Sequence, residues 1–196
     1  METLLHRRES LILTAIEVID ELGFQGLSTR EIAKRQQISE GALFRHFKTK
    51  NELILAVLDH YSQYDLDIAQ SAQLKNFGPK EALIFATTSF SVYYENYPAI
   101  TAVLLYHDLL QFDPELKTKV QTIFHQRHQL VLNLIDQAKA AGMIRPDVDS
   151  ESLTEMMLGT FRMICLKWRM GGYQFSLRER ILATLEMILQ AFRPTS

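Results

Sequence analysis

The sequence predicts an all-α protein, and three observations carry that expectation. Apolar residues recur at i, i+3, i+4 and i+7 along almost the whole chain, and no run of four to eight residues alternates well enough to suggest a strand. Capping signals open three helices within about 25 residues of one another near the N-terminus. Beyond them, proline-marked turns separate longer helical runs, as expected of a residue well tolerated at the first helical position. About nine helices follow, arranged as a compact N-terminal module and a larger helical domain.

Taken in order, Ile12, Ala15, Ile16, Ile19 and Leu22 share one face of the first helix, and Gly23 can end it in the left-handed conformation. Ser28 to Glu31 reads as a capping box, with Ser28 as N-cap and Glu31 reaching back, and opens a short helix to about Gln36. Ser39 caps a second short helix. A further box, Thr49 to Glu52, opens a long fourth helix through Leu53, Val57, Leu58 and Tyr61. The pairs Gly78-Pro79, Tyr97-Pro98 and Asp113-Pro114 each begin a helix, the last running nearly 30 residues to a stop at Gly142. Residues Ser150 to about Trp168 and Ser176 to about Phe192 form the final two. The domains are residues 1–60 and 61–196, with the boundary inside the fourth helix.

The chain has 196 residues, enough for a well-buried core, and 47% of them are hydrophobic. No apolar stretch is long enough to span a bilayer. Residues 1–8 lack the apolar run of a signal peptide, and a single cysteine, Cys165, excludes an internal disulfide, so a cytoplasmic protein is expected. The net charge is −2, but its distribution is uneven. From Ser28 to Lys50 six cations, Arg30, Lys34, Arg35, Arg45, Lys48 and Lys50, face only Glu31 and Glu40, a local excess of four positive charges. Such an island is equally what a phosphate-seeking surface and a plain solvated helix face would carry.

Spacing resolves that ambiguity. A helix-turn-helix needs a first helix that crosses the backbone of a duplex, a tight turn, and a second helix whose exposed N-terminal side chains are slim enough to approach base edges. Here Ile32 and Ala33 form the inner face of the first, Gln36-Gln37-Ile38 the turn, and Ser39-Glu40-Gly41-Ala42 the slim start of the second. The glycine costs about 1 kcal/mol of helix stability relative to alanine, tolerable where it allows close approach.

The run from Gly23 to Ala33, then Ile38 to Lys50, then Glu52-Leu53 resembles the N-terminal domain of the TetR family of repressors over roughly residues 6–60. That resemblance implies a role for each matching residue. Ser28, Thr29 and Arg30 open the helix that touches phosphates, Ser39 caps the recognition helix, and Glu40, Gly41 and Ala42 face base edges. Arg45 reaches either a guanine or a phosphate, and His46, Lys48 and Lys50 belong to the DNA-facing set, with His46 and Lys50 gripping the backbone. Leu43 and Phe47 point inward. Family members usually carry tyrosine where this chain has Phe44, so its role stands open between core packing and contact with a sugar or thymine methyl. A homodimeric repressor on a palindromic operator is what the family implies.

In the second domain, the last two helices are apolar nearly all round, so a twofold partner is expected to cover them. The expected interface is Leu153, Met157, Thr160 and Ile164 on one helix with Ile181, Leu185, Ile188 and Phe192 on the other. Between residues 79 and 141, Phe85, Phe90, Tyr93, Tyr94, Tyr106, His107, Phe124 and His128, together with Trp168 of the penultimate helix, suit a cavity for a small hydrophobic or amphiphilic effector. The alternative is a second domain that engages a protein partner instead. His125 and His128 have ligand spacing, but no third ligand completes a metal site. No cofactor, no catalytic residue and no membrane partner are expected, and Cys165 in an apolar helix reads as an inert thiol.

Overall fold

The structure is a computed structural model that describes residues 2–194, with no strand among them. Nine α-helices occur in the described residues: α1 (Glu2–Gly26), α2 (Thr29–Arg35), α3 (Glu40–Phe44), α4 (Lys50–Leu74), α5 (Pro79–Asn96), α6 (Ile100–Tyr106), α7 (Lys117–Ala140), α8 (Ser150–Met170) and α9 (Leu177–Ala191), with a 3-10 helix over His107–Phe112. No helix is long and apolar enough to cross a membrane among the described residues.

The chain forms two compact units, each built from separated stretches. The first runs up to Tyr64 and takes in Pro98–Ile123; the second comprises Asp65–Tyr97 and Phe124 onward. Residues 98–123, which the order of the chain places with the second domain, join the first unit because α6 packs on α1. α6 is buried on nearly every side, from Ile100 to Leu105, and so needs cover that α1 supplies with Leu11, Ile12, Ala15, Ile16, Val18 and Ile19. Leu22, expected on that same face, is 52% exposed, because α1 leaves helical geometry one residue later at Gly23 (φ 68°, ψ 177°). α4 adds Leu53, Val57, Leu58 and Tyr61 to this core.

In the second unit, α9 packs on α5 and α8. α8 starts at Ser150 as expected and Asp149 caps it, its carboxylate accepting from the Ser152 N–H at 2.8 Å, which with the adjacent side-chain contact holds the Asp149 pKa below the usual range. Ser176 caps α9, accepting from the Glu179 N–H at 3.2 Å. Pro79 opens α5 as expected, whereas Pro98 and Pro114 sit ahead of their helices. The Asp113 carboxylate accepts from the Glu115 N–H at 2.9 Å and builds a turn before α7, which therefore starts at Lys117 and spans 24 residues, not nearly 30.

Candidate nucleic-acid interface

The first unit positions the helix-turn-helix from below. Ile32 and Ala33 of α2 and Leu43 and Phe47 at and after α3 are buried, which fixes one face of each short helix to the core. The turn is held by Gln36, whose Nε2 donates to Thr14 Oγ1 at 2.6 Å and whose Oε1 accepts from Ser10 Oγ at 3.0 Å. Gln37 then takes the left-handed conformation (φ 51°) that reverses the chain. Ser28 and Ser39 cap α2 and α3 by accepting from the N–H groups of Glu31 (3.1 Å) and Ala42 (3.2 Å). Thr49 does the same for α4 through Glu52 N–H at 3.0 Å.

The box at Ser28 is only half formed. Glu31 does not reach back but accepts from Arg35 Nε at 2.9 Å, and Arg35 also forms a bidentate pair with Glu21 at 2.9 and 2.7 Å. These bonds hold the Glu21 and Glu31 carboxyls below their ordinary pKa and raise that of Arg35. Arg35 thus leaves the basic island: its charge serves the joint between α1 and α2. A strong competing pair fourteen residues upstream has no signature in local spacing.

The remaining expected contacts stay on the surface. Arg30, Glu40, Gly41, Arg45, Lys48 and Lys50 are exposed, as are Ser28 and Ser39, while Thr29, Ala42 and His46 are half-buried. Lys50 Nζ lies 3.4 Å from the Phe24 carbonyl oxygen. Phe44 is 40% exposed, which answers the open question against core packing. Thr29 Oγ1 donates to Glu40 Oε2 at 3.1 Å, joining the first residue of α2 to the first of α3. One cation that spacing did not place here is Arg8, whose guanidinium lies 4.8 Å from the Phe47 ring centroid. The Arg7-Arg8 pair was visible in the sequence, but its nearness to Phe47 depends on how α1 packs.

The residues expected to form an effector cavity separate into groups. Tyr106 and His107 belong to the first unit, where His107 is buried, bonded through Nδ1 to the Val103 carbonyl at 2.9 Å and 5.4 Å from the Tyr61 ring. In the second unit Phe90, Tyr93 and Tyr94 cluster with Phe161, which the sequence reading missed; the Phe90 and Tyr94 rings lie 6.3 and 6.0 Å from it. Phe85 instead meets Phe77 at 5.2 Å. Arg127 covers Phe90 at 5.1 Å and forms a bidentate pair with Asp65 at 2.6 and 3.1 Å. Four of the expected residues are engaged elsewhere or turned outward. Tyr106 and Phe124 are 41% and 60% exposed, set on outward faces of their helices. Trp168 is a structural corner: its indole N–H donates to the Phe175 carbonyl at 2.9 Å and its ring meets Tyr173 at 4.6 Å, closing the α8–α9 loop. His128 pairs with Glu151 at 3.1 Å and stacks on Phe124.

Of the expected dimer contacts, four are covered by the chain itself. Leu153 of α8 is 2% exposed, and Ile181, Leu185 and Ile188 are 3–9% exposed within the single chain because α9 spends that face on α5 and α8. Met157, Thr160 and Ile164 are half-buried, and with Ile181, Leu185 and Ile188 they line a small cleft of about 40 Å³, enough for a few waters. Phe192 is half-buried at the C-cap of α9. The apolar residues left uncovered are Met156, Met163 and Met170 of α8, seven residues apart, and Met187 of α9. Cys165 is fully buried, and desolvation pushes its thiol up to about 12, so it carries no thiolate near neutrality.

A unit that presents a short, slim-surfaced helix between exposed cations, braced by two capped helices, defines a helix-turn-helix DNA-binding regulator. The family model described as bacterial regulatory proteins, tetR family, matches residues 11–57, and that described as YsiA-like protein, C-terminal region, matches residues 80–191. The chain belongs to the TetR family of transcription regulators. It is similar to the fatty acid metabolism regulator protein of Bacillus subtilis (strain 168), with 20% identity over 180 residues, 91% of this chain and 92% of that one. Its fold matches the transcriptional regulator FadR from Bacillus subtilis in complex with stearoyl-CoA (TM-score 0.80, 19% identity, 94% and 99% of the two chains). It also matches a ketosteroid transcriptional regulator of Mycobacterium tuberculosis (TM-score 0.81, 18% identity, 96% of each chain).

Proposed function

We propose that this protein is a homodimeric repressor that binds a palindromic operator through α2 and α3 and is released by an amphiphilic effector, with long-chain acyl-CoA thioesters the first class to test. The observation that carries it is the exposed, capped start of α3, with Gly41 open to solvent and Arg45, Lys48 and Lys50 around it. Ser28 and Arg30 take phosphates and Thr29 offers only its backbone N–H there, its hydroxyl being bonded to Glu40; Glu40, Gly41 and Ala42 face the bases, and Phe44 lies against sugar or a thymine methyl. The effector class is supported by the stearoyl-CoA complex of the similar Bacillus subtilis regulator, and the apolar lining that Met157, Phe161 and Ile164 give the small cleft beside α9 is where an effector would enter.

Dimerisation is supported by the methionine stripe. Met163 and Met187 are 62% and 63% exposed, and between Met156 and Met163 a Cβ at Gly159 would meet nothing within 4 Å, so a partner helix can approach closely there. A gel-shift titration on the DNA flanking its own coding sequence should give a discrete complex of two protomers, weakened by stearoyl-CoA. Unretarded DNA would overturn the regulator reading, and a complex indifferent to stearoyl-CoA would overturn the effector class. Met163→Glu should turn a wild-type dimer into a monomer in sedimentation velocity with the helical content kept; a variant that sediments like wild type removes this face from the interface.

A further inference from the structure

Glu40 is the anomaly of the proposed DNA-facing surface. It is the first residue of α3, exposed, and its carboxylate shares the surface with Arg30, Arg45, Lys48 and Lys50. Facing phosphate, an acid there would only repel. Facing base edges, it has one use, because a carboxylate is acceptor-only and the major groove offers hydrogen-bond donors at just two base atoms, cytosine N4 and adenine N6. Guanine presents only acceptors there and thymine an acceptor and a methyl group, so the same carboxylate rejects both. The Glu40 side chain does not swing freely: Thr29 Oγ1 donates to its Oε2 at 3.1 Å from the start of α2. That leaves Oε1 to accept from a base, with Gly41 beside it adding no bulk.

We infer that Glu40 is a specificity-determining residue that selects a cytosine amino group in each half-site of the operator, and that Thr29 is its positioning residue. The inference rests on the helix-turn-helix reading of this surface and deepens it. Cytosine is favoured over adenine because adenine N7, next to N6, is an acceptor that opposes a carboxylate, whereas cytosine sets only a C–H beside N4.

The test is selection of bound duplexes from a random library by the full chain and by Glu40→Gln, Glu40→Ala, Thr29→Val and Thr29→Ser. Wild type should enrich a palindrome with one position per half-site favouring cytosine about tenfold or more over guanine and thymine. Glu40→Gln should move that position towards adenine, whose N6 and N7 pair with an amide, a gain that an unfolded variant cannot produce. Glu40→Ala should erase the preference there and leave the other positions as they were. Thr29→Val should flatten the same position and Thr29→Ser restore it, whereas a merely structural role for the pair would weaken all sequences alike. An enriched palindrome whose base preferences survive Glu40→Ala at every position overturns this inference alone. A library with no enriched palindrome overturns the reading of the surface and this inference with it.

Discussion

Gly41→Glu should lower operator affinity by on the order of 100-fold, about 2.8 kcal/mol, with the protein still folded. The two halves of that expectation rest on different observations. A Cβ built at Gly41 meets only Ser39 Oγ, at 3.9 Å, an ordinary contact, so a side chain enters open space and disturbs no core. On the proposed reading that open space is where the base edges come, and a longer side chain with a negative charge both blocks the approach and opposes the phosphates. Gly41→Ala separates the effects: it should raise the melting temperature slightly, since alanine gains up to about 1 kcal/mol over glycine in a helix, and cost little affinity. Fluorescence anisotropy with the flanking DNA, together with thermal melting, measures both. Affinity of Gly41→Glu within threefold of wild type would show that α3 does not enter a groove here.

Arg127→Ala should be the most damaging single change to stability, costing about 3–5 kcal/mol. Arg127 reaches Asp65 with two parallel bonds, Nη2 to Oδ1 at 2.6 Å and Nε to Oδ2 at 3.1 Å, and the Asp65 side chain is only 5% exposed. Removing the guanidinium leaves a carboxylate without its charge partner and away from water, and it also uncovers the face of Phe90. For a chain of this size the loss corresponds to a fall in melting temperature of roughly 6–20 °C. The double variant Asp65→Leu with Arg127→Met should recover most of it, because an apolar pair of similar volume avoids the desolvation cost of the ions. A melting temperature for Arg127→Ala within 2 °C of wild type would mean that Asp65 finds water or another donor in the variant.

These two sites differ in how far they could be read in advance. Ser28, Ser39, Thr49 and Ser176 were legible as helix starts, and Gly23 and Gly142 as stops, both with positive φ, because a cap and its N–H lie within three residues and a backbone angle belongs to one residue. The burial of Leu43 and Phe47 and the exposure of Arg45, Lys48 and Lys50 agree with what the resemblance to the TetR family implies. Where a residue had a choice of distant partners, period failed. Glu31 was placed in a capping box, but Arg35 claimed it; Trp168 was placed in a cavity, but the Phe175 carbonyl claimed its N–H.

The apolar helices α8 and α9 make the same point. Composition revealed that both carry more apolar surface than one face can hide, yet it assigned Leu153, Ile181, Leu185 and Ile188 to a partner when the chain's own packing covers them, and passed over Met163 and Met187. The sequence by itself determined the all-helical fold, the order of its helices and those starts that a side-chain cap marks, since each depends on interactions within one or two turns. Only the tertiary structure decided which unit residues 98–123 join, which charge Arg35 and Arg127 answer, and which side of α8 is left bare, because those outcomes are set by contacts between residues far apart in the chain, where several pairings satisfy the same local pattern.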